Sequence, residues 1–132
     1  MTRKNTGNTL SGTIICHAMW ARDGHELADF YAAALGTEIS QTYSDEHGNE
    51  AAVAFYVGKA MYLFYTSPSF QAPDWPAQDL PFHMDFMFDD VEAAERQLLE
   101  EGATKPSHQP GGKHWTVLLD PSGQPFCIHG AH

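Results

Sequence analysis

The stretch His17–Gly36, HAMWARDGHELADFYAAALG, returns later in the chain as His83–Gly102, HMDFMFDDVEAAERQLLEEG. Both copies have the spacing His-x5-Asp-x2-Glu-x9-Gly. An internal repeat of this kind predicts two similar structural units that pack against each other. Residues at equivalent positions, such as the two histidines, would then face one shared cavity.

The first copy has the pattern of a strand followed by a capped helix. Residues 13–20 are rich in β-branched, aromatic and other apolar residues. Asp23 and Glu26 form a capping-box pattern, and Gly36 stands where a left-handed residue ends a helix. Three shorter strands are then predicted before the chain leaves this half: residues 37–42, 51–57 and 60–66.

The second copy repeats this order. A strand over 82–88 leads to a helix that we expect Asp89 to cap, with Glu92 as its partner and Gly102 as its end. Further strands are predicted at 103–106, 114–119 and 125–129. Each half is therefore a β-α-β-β-β unit.

The segment between the halves holds four prolines and reads as a linker. We predict an α+β fold in which two tandem β-α-β-β-β modules form a curved mixed sheet around a cleft. The chain would be a single domain over residues 1–132, with module 1 at about 12–66, the linker at 67–81 and module 2 at about 82–130.

Composition excludes several classes of function. The 132 residues contain 17 acidic and 7 basic side chains, for a formal charge of −10. No basic cluster is present, so we expect no nucleic-acid partner, and no apolar run suggests a membrane span or a secretory signal. Two cysteines make no disulfide framework. A cytoplasmic protein with free thiols is expected.

Four motifs carry a family resemblance: Phe30-Tyr31-x3-Leu35-Gly36, the run that begins at His83, Glu101-Gly-Ala-Thr104, and Asp120-Pro-Ser-Gly-Gln-Pro-Phe126. In this order the chain resembles the vicinal oxygen chelate superfamily, which includes glyoxalase I, extradiol dioxygenases, and bleomycin or fosfomycin resistance proteins. It looks most like the small glyoxalase-like branch. The resemblance implies a homodimer that binds a small molecule in its concave cleft.

Metal-dependent members of the superfamily carry four ligands, two from each half, which are typically His or Gln, Glu, His and Glu. The resemblance places His83 at the third position. Strand alternation puts Asp85 on the same face as His83. Counting from the turn glycines gives Tyr62 at the second position and Cys127 at the fourth, where metal enzymes have glutamate. His129 follows Cys127 on the same face.

The first position is open between two residues. The internal repeat gives His17, whereas the family spacing from Phe30 gives Cys16. A shift of one residue turns every side chain of a strand to the other face, so only one of them can line the cavity. We favour His17, because placing Cys16 against the helix leaves no histidine buried there.

Three hypotheses follow. In the first, a cleft binds a small organic molecule without the standard metal site and without a cofactor, since both glutamates are missing; its lining is His83, Asp85, Tyr62, Trp115, Cys127 and His129. In the second, a metal-dependent lyase, isomerase or dioxygenase holds zinc, nickel, manganese or iron on His17 (or Cys16), His83 and Cys127. In the third, the chain is an accessory domain without a ligand. Whether the protein is an enzyme stays open.

Overall fold

The computed structural model describes residues 9–131, and it confirms the α+β class. Within these residues, seven strands form two open mixed sheets, with strand orders β1-β4-β3-β2 and β5-β7-β6, and two helices accompany them. Neither helix within residues 9–131 has the length and apolar composition that a membrane-crossing helix requires. The elements are β1 (Cys16–Ala21), α1 (Gly24–Ala34), β2 (Gln41–Ser44), β3 (Glu50–Val57), β4 (Ala60–Thr66), β5 (Asp85–Phe88), α2 (Val91–Glu100), β6 (Thr116–Leu119) and β7 (Pro125–Gly130).

Helix α1 begins and ends where its sequence predicts. The Asp23 carboxylate accepts a hydrogen bond from the Glu26 N–H at 3.0 Å, which satisfies one of the free donors of the first turn. Gly36 has φ of 71°, a conformation that side-chain-bearing residues seldom adopt. The face between these ends is apolar, and its buried members are Leu27, Ala28, Phe30, Tyr31 and Ala32.

Helix α2 begins one residue later than the repeat predicts. Asp90, and not Asp89, accepts a hydrogen bond from the Ala93 N–H at 3.0 Å. The prediction that Asp89 caps α2 is therefore wrong. The adjacent Asp90 can make the same kind of capping bond, and it does so. Counted from the true caps, Asp23 and Asp90, the residue equivalent to His83 is Cys16.

The second module keeps the predicted order but almost loses its second strand. The predicted strand at 103–106 is reduced to one bridge, in which Thr104 and Leu119 exchange backbone hydrogen bonds of 2.8 and 2.9 Å. Pro106 has no N–H to extend the pairing. The Gln109 side-chain amide replaces the missing strand as a backbone partner, because it donates to the Val117 carbonyl and accepts from the Val117 N–H.

One apolar core joins the two modules. It holds the buried face of α1 together with Phe64 from the first sheet and Phe126 from the second. Tyr31 on α1 donates a 2.5 Å hydrogen bond to the Asp120 carboxylate in the second module, and both groups are buried. The prediction of one domain over 1–132 remains a prediction, and residues 1–8 and 132 lie outside the described residues.

Each sheet therefore has a face against the core and a face turned away from it, which we call its open face. In the first sheet, Tyr62 and Phe64 lie on the core side, whereas Cys16 and Met61 pack with Leu63 on the open side. In the second sheet, Phe126 and Ile128 lie on the core side. The alternation of β7 then puts Cys127 and His129 on its open face, where the polar groups of the second module gather.

Candidate functional site

Four polar side chains meet on the open face of the β5-β7-β6 sheet. Asp85 pairs with Cys127 in the parallel β5–β7 register, and His83 precedes Asp85 by two residues on the same face. The Asp85 carboxylate lies 3.1 Å from His83 Nε2 and 2.9 Å from His129 Nε2. Among residues 9–131, the ligand atoms of His83, Asp85 and Cys127 also lie within 4.8 Å of one another.

The carboxylate at the centre of this group is ionised at neutral pH. Partial burial alone would raise the pKa of Asp85, but the hydrogen bond from His129 and the charge interactions with both histidines lower it below the usual value. Burial, followed by the negative charge of Asp85, raises the pKa of the Cys127 thiol to about 11. Cys127 is therefore a protonated thiol and not a ready nucleophile.

Apolar side chains surround this polar group, and together they form what we call the tryptophan cleft. The indole of Trp115 stacks on the His129 ring, with 6.2 Å between ring centroids. Trp75, from the linker, forms the facing wall and packs edge-on against His108. The cleft has a volume of about 330 Å³, and its lining is completed by Leu80, Pro110, Val117 and Pro125 beside the four polar residues.

The position of Trp115 depends on a residue that the sequence does not single out. Gln109 ties its own loop to Pro106 and Val117 through side-chain hydrogen bonds of 2.8 to 2.9 Å. This brings Gly111 directly under the indole, where an added Cβ would come within 2.4 Å of the Trp115 ring. Only glycine fits beneath Trp115 in this arrangement.

The structure does not bring His17 or Tyr62 to this group. Their rings contact each other at 5.2 Å, and Tyr62 packs against the core beside Phe55. Cys16 occupies the open face instead. The predicted metal set of His17, His83 and Cys127 is therefore not assembled, because the one-residue shift at the α2 cap breaks the repeat-based alignment of His17 with His83.

Larger clefts elsewhere suit a ligand less well. One of about 550 Å³ at the start of α1 is lined by four carboxylates, those of Asp23, Glu26, Asp29 and Glu101, and by a single aromatic residue, Phe30. Another of about 430 Å³ runs beside Trp20 and the linker and shares His83 with the tryptophan cleft. The tryptophan cleft differs from both in its convergent polar floor, which is the combination typical of small-molecule sites.

The sequence profile of the glyoxalase-like domain matches residues 14–129, the part of the chain that contains the repeat and both helix caps. The chain belongs to the glyoxalase-like domain family. This places it in the vicinal oxygen chelate superfamily, as the sequence motifs imply. No curated protein matches the chain.

Solved structures of glyoxalase-like proteins share the fold. A glyoxalase family protein from Enterococcus faecalis is 24% identical, covers 89% of this chain and 96% of its own, and has a TM-score of 0.65. A glyoxalase/bleomycin resistance protein/dioxygenase family enzyme from Burkholderia phytofirmans is 19% identical, with coverages of 89% and 98% and a TM-score of 0.64. A fosfomycin resistance protein from Listeria monocytogenes, complexed with Mn(II) and a dihydroxypropylphosphonic acid, is 12% identical, with coverages of 91% and 93% and a TM-score of 0.67.

The standard metal centre of the superfamily does not fit the residues of this chain. When the two modules are aligned on the caps Asp23 and Asp90, Cys16 matches His83 and Ala18 matches Asp85. Leu63 pairs with Ala18 on the neighbouring strand, just as Cys127 pairs with Asp85. The four positions of the standard centre are therefore occupied by Cys16, Leu63, His83 and Cys127. None of the four carries a carboxylate. A hard cation such as Mn(II) prefers oxygen ligands, so this donor set does not support it.

Proposed function

We propose that this glyoxalase-like protein binds a small, partly aromatic organic molecule in the tryptophan cleft, without the standard metal centre of its superfamily. The observation that carries the proposal is the pairing of two indole walls, Trp75 and Trp115, with one convergent polar floor. The volume of about 330 Å³ falls in the range of small-ligand sites. An accessory domain without a ligand has no need for this arrangement.

Each wall has a distinct role in the proposed site. The Trp115 indole offers a flat stacking surface that His129 supports from one side. The floor supplies an ionised carboxylate at Asp85, which can accept hydrogen bonds from polar substituents of the ligand. The metal-enzyme alternative on His17 (or Cys16), His83 and Cys127 has no support among the described residues, because His17 lies on the core side of the other sheet and Cys16 does not join the group of His83 and Cys127.

Changes at Trp115 are expected to weaken ligand binding. Calorimetric titration of the protein with indole and quinoline should show saturable binding, and Trp115→Ala should weaken it by about 10-fold or more, through lost stacking and burial. Gly111→Ala should act in the same direction, because its Cβ displaces the indole.

Gly112→Ala is the matched control for Gly111→Ala. Gly112 has φ of 58° but open space around its Cβ position, so alanine there strains the backbone without touching Trp115. Its affinity for the same compounds should equal that of the unaltered protein. Binding that is unchanged in Trp115→Ala, or no saturable binding of either compound, would reject the proposed site.

A second copy of the chain is proposed to cover exposed apolar side chains of the two sheets that lie outside the tryptophan cleft. Trp20 on the first sheet is 52% exposed and Met87 on the second is 70% exposed, and contact with a second copy would bury these large apolar side chains. Light scattering should give about twice the chain mass of 14.6 kDa. Met87→Glu should shift the protein toward the monomer, whereas Leu99→Glu, on the exposed side of α2, should not. A monomer at micromolar concentration would contradict the proposal.

A further inference from the structure

The floor of the tryptophan cleft brings together four side chains that are all known metal ligands. Two imidazole Nε2 atoms, from His83 and His129, lie 3.1 and 2.9 Å from the oxygens of one carboxylate, Asp85. The ligand atoms of His83, Asp85 and Cys127 lie within 4.8 Å of one another, and His129 joins this group through its contact with Asp85. The register of β5 against β7 sets Asp85 beside Cys127 and Met87 beside His129, and His83 lies two residues before Asp85.

Ion pairing alone gives little reason for this arrangement. The side chains of His83 and Asp85 are about half exposed, and exposed ion pairs contribute only about 0–1 kcal/mol. An ionised carboxylate only accepts hydrogen bonds, so both Nε2 atoms must carry protons that point at Asp85. A metal ion at this point would replace those protons and satisfy both rings, the carboxylate and the thiol at once.

We propose that His83, Asp85, Cys127 and His129 form a zinc site, held within the second module and built from a ligand set different from the standard centre of the superfamily. The proposal goes beyond the proposed function, because stacking of a ligand on Trp115 requires no ion. It also needs no residue from the first module.

The ligand types select zinc. Two imidazoles, one carboxylate and one thiolate make a four-ligand set of the kind that tetrahedral zinc accepts. Calcium and magnesium require several oxygen ligands, and only Asp85 supplies one here. Ligand atoms around tetrahedral zinc are separated by about 3.3–3.8 Å, so the contacts of His83 and His129 with Asp85 need to open by less than about 1 Å. Cys127 lies within 4.8 Å of both His83 and Asp85, whereas the His129 ring has to approach His83 and Cys127. The exposed His and Asp side chains can make that adjustment by rotation.

The charge and surroundings of the site agree with this choice. A carboxylate and a thiolate together balance the two positive charges of the ion. Trp115 stacks on the His129 ring, which fixes the orientation of that ligand as outer groups do in other metal sites. The cleft wall would therefore help to hold the His129 ligand in place.

The test uses untagged protein that is stripped with a chelator and then returned to zinc or Co²⁺. We expect one zinc ion per chain by elemental analysis, and a thiolate-to-metal absorption band in the Co²⁺ form. Asp85→Asn should lower zinc affinity by at least about 100-fold in competition with a chromophoric chelator, since loss of outer groups alone costs about 10–100-fold. Cys127→Ser should abolish the absorption band.

Cys16→Ser is the matched control, because Cys16 is the other thiol of the chain and lies on the first sheet. It should keep both the zinc ion and the absorption band. Asp85 is exposed, so Asp85→Asn is expected to fold normally, and thermal unfolding of the zinc-free variants checks this. The proposal is overturned if the protein takes up no zinc, if Asp85→Asn binds zinc as tightly as the unaltered chain, or if Cys16→Ser loses the band.

Discussion

Replacing Asp120 by alanine is expected to lower the free energy of unfolding by about 3–5 kcal/mol. The Asp120 carboxylate is buried and accepts hydrogen bonds from the Tyr31 hydroxyl, the Ser122 N–H and the Gln124 N–H. Removing it leaves three donors without an acceptor in the interior. Urea unfolding followed by circular dichroism measures the change, provided that the slope with denaturant stays constant.

The turn at Asp45 provides a matched control. Asp45 accepts from the N–H groups two and four residues ahead, at His47 and Asn49, as Asp120 does in its own turn. This turn is exposed and has no tyrosine partner. Asp45→Ala should therefore cost less than about 1 kcal/mol. Equal losses at the two positions would show that the turn, and not the buried bond to Tyr31, is what stabilises the fold.

Tyr31→Phe is expected to lower the free energy of unfolding by an amount between those for Asp120→Ala and Asp45→Ala. Burial, followed by the charge of Asp120, raises the pKa of Tyr31 well above its usual value, so its hydroxyl remains a donor at any ordinary pH. Burial also raises the pKa of Asp120, although the hydrogen bond from Tyr31 opposes this. Tyr31→Phe removes one of the three donors together with its partner bond. A loss of about 1–2 kcal/mol is expected.

Phe126→Ala should destabilise both modules together, by about 3–5 kcal/mol. Phe126 is fully buried on β7, and its ring contacts Phe30 and Tyr31 on α1 as well as Phe86 on β5. The cavity left by alanine would open at the junction of the two modules. Since one core joins them, unfolding should remain a single transition with coincident signals from secondary and tertiary structure.

Phe82→Ala is the control for Phe126→Ala. Phe82 is 54% exposed and lies outside the core, so its loss should change stability by no more than about 0.5 kcal/mol. Two separate unfolding transitions in Phe126→Ala would mean that each module is stable alone. That outcome would contradict the single-domain prediction.

The sequence predicts the architecture well where local chemistry is decisive. Asp23 and Gly36 mark the ends of α1 as expected, and the motif Asp120-Pro-Ser-Gly123 forms a turn that the Gly123 N–H closes on the Asp120 carbonyl. These features depend on neighbouring residues only. The order of strands and helices follows from them and from the family motifs.

The candidate site is harder to predict from the sequence than the fold, because it depends on which of two adjacent residues caps α2. Asp89 and Asp90 are equally good caps in sequence, and the structure has Asp90 in this role. That choice decides whether Cys16 or His17 matches His83, and hence which side chains reach an open face. A shift of one residue has this effect because strand side chains alternate between faces.

Other parts of the site carry no signal in the sequence. Gln109 stands between Pro106 and Pro110 in a segment without periodicity, and its bonds to Val117 appear only in three dimensions. The same is true of the bond between Tyr31 and Asp120, which joins residues far apart in the chain. Trp75 reads as a linker residue until the fold places it opposite Trp115.

The use of a single amide in place of a paired strand has an implication for how this protein can diversify. Gln109 anchors its loop at one point, so the residues between it and Trp115 are not held in a hydrogen-bonded ladder. Insertions or exchanges in that interval would reshape one wall of the cleft while the sheet beneath kept its pairing. Related chains could thus acquire different ligand preferences at little cost to folding, and loop grafting at this anchor offers a direct route to altered selectivity.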